Sequence, residues 1–227
     1  MARAIARVDR ILLVEGEADR AFFEQICRNI GLDTSIRVAP PKDLAGSHNT
    51  KEGVFNHLPV LLAQLADGQI TRLAVVVDAD NTINGGGYSS AIDRMSKIVA
   101  PFGFLQATDT TVGILFKHGD GLADFGFWVM PNNADEGMLE DWIKQSIHPD
   151  ERGLFGHAES VVSALPQPQK FKAIHRSKAE VATWLAWQKQ PGHGPYRAIE
   201  DGLIDPLGAH YLTLITWLKA VFQDGSS

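Results

Sequence analysis

Two stretches of this chain are apolar without interruption, Ile11-Leu12-Leu13-Val14, which follows Arg10, and Leu73-Ala74-Val75-Val76-Val77. A run with no polar alternation suits a strand covered on both faces, as in the interior of a parallel sheet. Between them the pattern changes to helical spacing. Phe22, Phe23, Ile26 and Ile30 form one stripe of a helix over 17–30, stopped by Gly31. Ser35-Ile36-Arg37-Val38-Ala39 reads as a short strand closed by Pro40-Pro41, and 52–66 as a second helix. The order strand, helix, strand, helix, strand implies right-handed crossovers and parallel strands.

Downstream, 90–99 predicts a helix ended by Pro101, and 111–116 with 125–130 predicts a hairpin turning around His118-Gly119-Asp120-Gly121. Asn133 or Asp135 can cap a helix whose apolar face holds Met138, Leu139, Trp142, Ile143 and Ile147. From about His148, proline and glycine punctuate short helical pieces. Ser177-Lys178-Ala179-Glu180 reads as a capping box opening a helix that runs to Gln190. Trp184, Trp187 and Trp217 stand at helical spacing as packing residues. A mostly apolar final helix over 207–222 closes either the core or an interface between two copies of the chain. The expected fold is α/β: a central, mostly parallel sheet flanked by helices over residues 8–150, with a helical C-terminal extension over 151–227 packed on the same core.

Composition narrows the class. The chain has 227 residues, an ordinary apolar fraction and no apolar run long enough to span a bilayer. The N-terminal residues lack the apolar core of a secretory signal, and the single Cys27 excludes an internal disulfide or a cysteine-rich zinc site. A cytoplasmic protein without a membrane partner is expected. The net charge of −6 is unlike that of a dedicated nucleic-acid binder, but an enzyme that reaches phosphate through clustered acids and a metal can be acidic overall.

Acids collect where the strands end. Glu15 follows the first apolar run, and Asp78 and Asp80 end the other. In open α/β sheets the carboxyl ends of the strands face the ligand crevice, where paired acids repel one another unless a cation neutralises them. Asp19 falls on the buried stripe of the first helix, whereas Glu17, Arg20, Glu24 and Arg28 make a solvated ladder opposite. The helix dipole alone favours an acid in the first turn, but it does not account for one on the inward face. Glu136 falls within the apolar face of the later helix and Glu140 at its edge, while Asp141 points away. Lys178 sits at the positive end of its helix, facing inward with Val181, Ala182 and Leu185; it is either functional or a snorkelling surface lysine. In the polar loop 43–51, His48 and Lys51 are candidates for meeting phosphate, beside the bland reading of solvated loop residues.

Glu15-x-x-x-Asp19 after the first strand, followed by Asp78-x-Asp80 after a later one, resembles the TOPRIM domain shared by bacterial primases, topoisomerases and OLD-type nucleases. The resemblance covers about residues 8–150. Gly137-Met138-Leu139-Glu140-Asp141 and Lys178-Ala179 look like the further acid and lysine of the OLD-type branch and of small stand-alone TOPRIM proteins. It implies a TOPRIM-like Rossmannoid sheet and a nuclease or nuclease subunit dependent on one or two Mg²⁺ or Mn²⁺ ions. Glu15, Asp78 and Asp80 would hold one ion, and Asp19 with Glu136 or Glu140 a second. Glu15 and Lys178 would serve catalysis, with nucleic acid, DNA in preference to RNA, as substrate. No strand-passage domain fits in the remaining length and no ATPase motif precedes the domain, so any partner ATPase would be a separate chain.

Two rivals use the same residues. Asp78-Ala79-Asp80-Asn81-Thr82 matches the first motif of haloacid-dehalogenase-like phosphatases, and Gly119-Asp120-Gly121-Leu122-Ala123-Asp124 resembles their second metal motif, at short spacing. The other rival is a non-catalytic module that binds metal or nucleotide within an ATPase complex.

Overall fold

The computed structural model describes residues 9–40, 51–107 and 113–223. Strands β1 (Arg10–Val14), β2 (Ser35–Val38), β3 (Arg72–Asp78), β4 (Phe104–Gln106), β5 (Ile114–His118) and β6 (Phe125–Met130) form one open sheet in the order β2-β1-β3-β6-β5-β4. The first three strands and β6 run parallel, and β5 and β4 add an antiparallel edge. The α/β class is therefore as the apolar rhythm implies.

Because side chains alternate along a strand, each parallel strand feeds two cores. Ile11, Leu13, Leu73, Val75, Val77, Phe127 and Val129 face α2 (Lys51–Ala66) and α3 (Tyr88–Val99). Leu12, Val14, Ala74, Val76, Trp128 and Met130 face the other way, toward α1 (Glu17–Asn29) and α4 (Leu139–Ser146). That second cluster continues through Phe155 of α5 (Arg152–Ser163), Trp184 of α6 (Arg176–Ala186), Ile199 of α7 (Tyr196–Glu200) and Trp217 of α8 (Ala209–Phe222). The C-terminal helices thus cover one face of the sheet and share its core. Helix α8 lies so close to β6 that a Cβ at Gly126 would stand 2.4 Å from Val221 Cγ2. Its last turn is tied to β1 by Arg10, whose guanidinium donates to the Phe222 carbonyl at 2.6 Å.

Several local expectations are corrected. β4 was not foreseen, since three residues carry no legible period. The hairpin strand runs over Ile114–His118, later than expected; Thr111 and Val112 lie outside the described residues. Helix α4 begins at Leu139 with Met138 in the N-cap position. Asn133 cannot cap it, because its Oδ1 accepts from Val129 N at 2.7 Å, and Asp135 is held by Asn132. The capping box at Ser177 is also absent: α6 starts two residues earlier, after His175, and ends at Ala186. Ser177 Oγ instead donates to Asp141 Oδ1, and Glu180 accepts from Lys144 and Arg176. Ala182 is exposed, so the inward face of α6 is Val181, Trp184 and Leu185. Trp184 and Trp217 are fully buried as expected, but Trp187 is 40% exposed and lies against the His157 ring. No helix among the described residues is long and apolar enough to cross a membrane.

Candidate functional site

The carboxyl ends of β1 and β3 are neighbours, and the register pairing Leu13 with Val75 brings Glu15 beside Asp78. Glu15 Oε1 accepts from the Asp78 backbone N–H at 2.8 Å. Asp78 Oδ1 in turn accepts from Leu139 N at 3.1 Å, placing this carboxylate on the N-terminus of α4, where free amides and the helix dipole favour negative charge. Asp19 reaches back from the first turn of α1 to accept from Gly16 N at 3.0 Å. One residue into α4, Glu140 is 7% exposed, and both of its oxygens accept from Lys178 Nζ at 3.0 Å. The first turns of α4 and α6 therefore deliver an acid and a base to the rim made by two strand ends.

The electrostatics show that these groups share one place. Burial pushes the Glu15 carboxyl up to about 7; the hydrogen bond from Asp78 and the Lys51 charge act against this, and Asp19 and Asp80 add to it. Burial likewise raises Asp19 to about 6, with Glu140 adding to the rise and Lys178 opposing it. Asp78 is pushed well above the usual carboxylate range by burial, then by Glu15, Asp19 and Glu140, with Lys178 opposing. Lys178 is raised despite burial, because Glu140, Asp78 and Asp19 favour its charge. Clusters in which burial and like charges shift several carboxyls together are characteristic of functional sites.

Asp80 flanks the cluster. Its backbone is left-handed (φ 61°) and forms a two-way bridge with Gly137, Asp80 N to Gly137 O at 2.9 Å and Gly137 N to Asp80 O at 3.1 Å. Its carboxylate pairs with Lys51 at 2.6 Å, and Lys51 also donates to the Ala79 carbonyl at 3.2 Å. Lys51, read from sequence as a loop residue, opens α2 with its charge at the rim.

Two assignments change. Glu136 precedes α4 instead of lying on its inner face; it is exposed, and its Oε1 accepts from Thr82 N at 3.1 Å, a bond that lowers its pKa. Glu140, expected at the edge, is the buried member. His48 lies outside the described residues. Sequence reasoning missed the polar links that hold Lys178 in place. Asp141 was expected to point away. Instead it accepts from Met138 N at 2.9 Å and from Ser177 Oγ, and one turn on, Lys144 pairs with the buried Glu180. Contacts between residues 36 positions apart leave no local signal.

Among the described residues no three acidic, histidine or cysteine side chains form a ready-made metal-binding group. The carboxylates are turned onto backbone amides and onto the two lysines. In kind, the donor set still suits a hard divalent cation: it is all oxygen, crowded and partly desolvated, and a cation would relieve its repulsion. The haloacid-dehalogenase geometry does not form. The parallel register pairs Leu73 with Phe125 and Asp78 with Met130, so residues 119–124 sit at the opposite end of β6 from Asp78. The two motifs are thus about 17–20 Å apart, the length of such a strand.

Comparison with known proteins places residues 9–223 in a match to DUF3226, a protein family of unknown function. This chain belongs to the DUF3226 family. The matched span contains every residue of the acid cluster and both lysines. The chain is also similar to the ribosomal RNA small subunit methyltransferase H of Nostoc sp., 31% identical over 137 residues, which are 54% of this chain and 44% of that protein. It thus spans less than half the length of that curated relative. No solved structure matches the chain.

Proposed function

We propose that this DUF3226 protein cleaves phosphodiester bonds in nucleic acid with the help of divalent metal ions, through a TOPRIM-like site of the OLD-nuclease kind. The observation that carries this reading is the convergence of Glu15, Asp19, Asp78 and Glu140 with Lys178 at the carboxyl ends of β1 and β3. Glu15, Asp78 and Asp80 would hold one Mg²⁺ or Mn²⁺ ion, and Asp19 with Glu140 a second. Such ions, when bound, lower the pKa of water and stabilise charge on phosphoryl oxygens. The protein's own part is to hold the acids at a strand-end rim and to supply cations there. Lys178 would neutralise charge developing at the phosphorus, with Glu140 fixing its ammonium in advance. Lys51, now paired with Asp80, is a second cation for a phosphate at the same rim.

DNA is the first substrate to test. The similarity to a relative named for ribosomal RNA brings RNA into the same experiment. Wild-type protein titrated with Mn²⁺ in a calorimeter should bind it, and should then nick supercoiled DNA or cut an RNA strand. Asp78→Asn should lose both properties while melting as a folded protein. Wild-type protein that takes up neither Mn²⁺ nor Mg²⁺ would sink the proposal.

A further inference from the structure

Against a net charge of −6, residues 160–179 contain no acid at all, while Lys170, Lys172, Arg176 and Lys178 all fall there. The structure uses the last two internally: Arg176 pairs with Glu180 at 2.7 Å and also donates to Ser163 Oγ, and Lys178 pairs with Glu140. Lys170 and Lys172 are exposed, and among the described residues neither has a partner. Among the described residues their charge serves no contact. Immediately beside them, residues 165–171 enclose a cleft of about 320 Å³ whose walls include Leu165, Pro166, Pro168 and the Phe171 ring, with Lys170 at its edge. Leu165 keeps 40% of its surface in solvent. An apolar slot edged by unpaired lysines is the combination that takes an unstacked base and the phosphates on either side of it.

Along the chain the slot leads toward the acid cluster. A single turn of 3-10 helix, Ala173–His175, leads from Lys172 directly into α6 and Lys178. At the rises of these helices, Lys172 and Lys178 are about 10 Å apart along the chain's path.

We propose that segment 165–172 is a track for single-stranded nucleic acid, holding a base in the cleft and the backbone on Lys170 and Lys172, and feeding the strand to Lys178. A duplex, whose bases are stacked inward, offers nothing to the cleft. The inference rests on the nucleic-acid reading of the acid cluster, but binding can be measured apart from metal and catalysis.

The test is fluorescence anisotropy of the full chain with labelled single-stranded DNA, single-stranded RNA and duplex DNA, in EDTA, across a salt series. Wild-type protein should prefer one or both single strands to the duplex. K170E/K172E should melt as wild type does, bind roughly tenfold more weakly and lose about 1.4 from the slope of log affinity against log salt, since each single-strand phosphate contact contributes about 0.7. Phe171→Leu, which keeps apolar volume but removes the ring face, should weaken binding roughly tenfold with the salt slope unchanged. Binding by both variants equal to wild type, duplex binding as tight as single-strand binding, or no oligonucleotide binding by wild type would each overturn the track. If the strand measurements come out as expected and wild type takes up no Mn²⁺, the track stands and the metal-site reading falls.

Discussion

The Asp78 backbone N–H donates to Glu15 Oε1 at 2.8 Å, joining the ends of two adjacent parallel strands through a side chain from one and the main chain of the other. This bond holds a carboxylate in a place that burial and the neighbouring acids make unfavourable. The same contact that shapes the rim therefore stores electrostatic stress in the absence of a cation.

Glu15→Gln keeps an oxygen able to accept from Asp78 N and removes the charge. Without metal at pH 8 it should be more stable than wild type, by on the order of 1–3 kcal/mol, visible as a higher urea midpoint at unchanged m-value. It should also lose Mn²⁺ binding. Equal or lower stability would show that the bond, and not the repulsion, dominates at this position.

Stability should depend on pH in a defined direction. Glu15 and Asp19 have folded-state pKa values raised to about 7 and about 6, above their ordinary values of 4.5 and 3.8. Below both ordinary values the groups are protonated whether the chain is folded or not, and the penalty is absent. As pH rises through 6 and 7 the folded protein must ionise them as well, and the penalty becomes complete. In EDTA the melting temperature should fall between pH 4 and pH 7 on account of these groups. Added Mn²⁺ should raise it more at pH 8 than at pH 5.5; an equal rise at both would count against carboxylate ligation.

Helices α4 and α6 are joined by Lys178 to Glu140, Ser177 to Asp141 and Lys144 to Glu180. Lys178→Met should leave Mn²⁺ binding intact and lower the cleavage rate by about 10²–10³, the range for losing one preorganised stabilising group. Ser177→Ala, acting only through helix position, should lower the rate less and leave the Mn²⁺ affinity alone. Loss of Mn²⁺ binding by Lys178→Met would show that the lysine organises the acids.

Gly126→Ala places a methyl 2.4 Å from Val221 Cγ2 and 3.0 Å from the Trp217 ring, so α8 must move off β6. The expected cost is about 1–3 kcal/mol, as for overpacking elsewhere, measured as a lower denaturation midpoint. A neutral outcome would show that α8 is less firmly seated than its buried Trp217 and Phe222 indicate.

The uninterrupted apolar runs, the acids that end them and the amphipathic stripe of α1 are local patterns, and from them the sequence by itself determined the parallel α/β core, the inward aim of Asp19 and the meeting of Glu15 with Asp78. Strand periodicity and hydrophobic burial act over a few residues, so they can be read along the chain. The exchange of Glu136 for Glu140, the pairing of Asp80 with Lys51 and the seating of Lys178 were decided only by tertiary structure. Each depends on where a helix starts or on contacts between distant segments: Asn133 committed to β6 delays α4, and Ser177 committed to Asp141 leaves α6 without its expected cap. Side-chain hydrogen bonds of that kind compete with helix capping on nearly equal energetic terms, and three-dimensional neighbours decide the outcome.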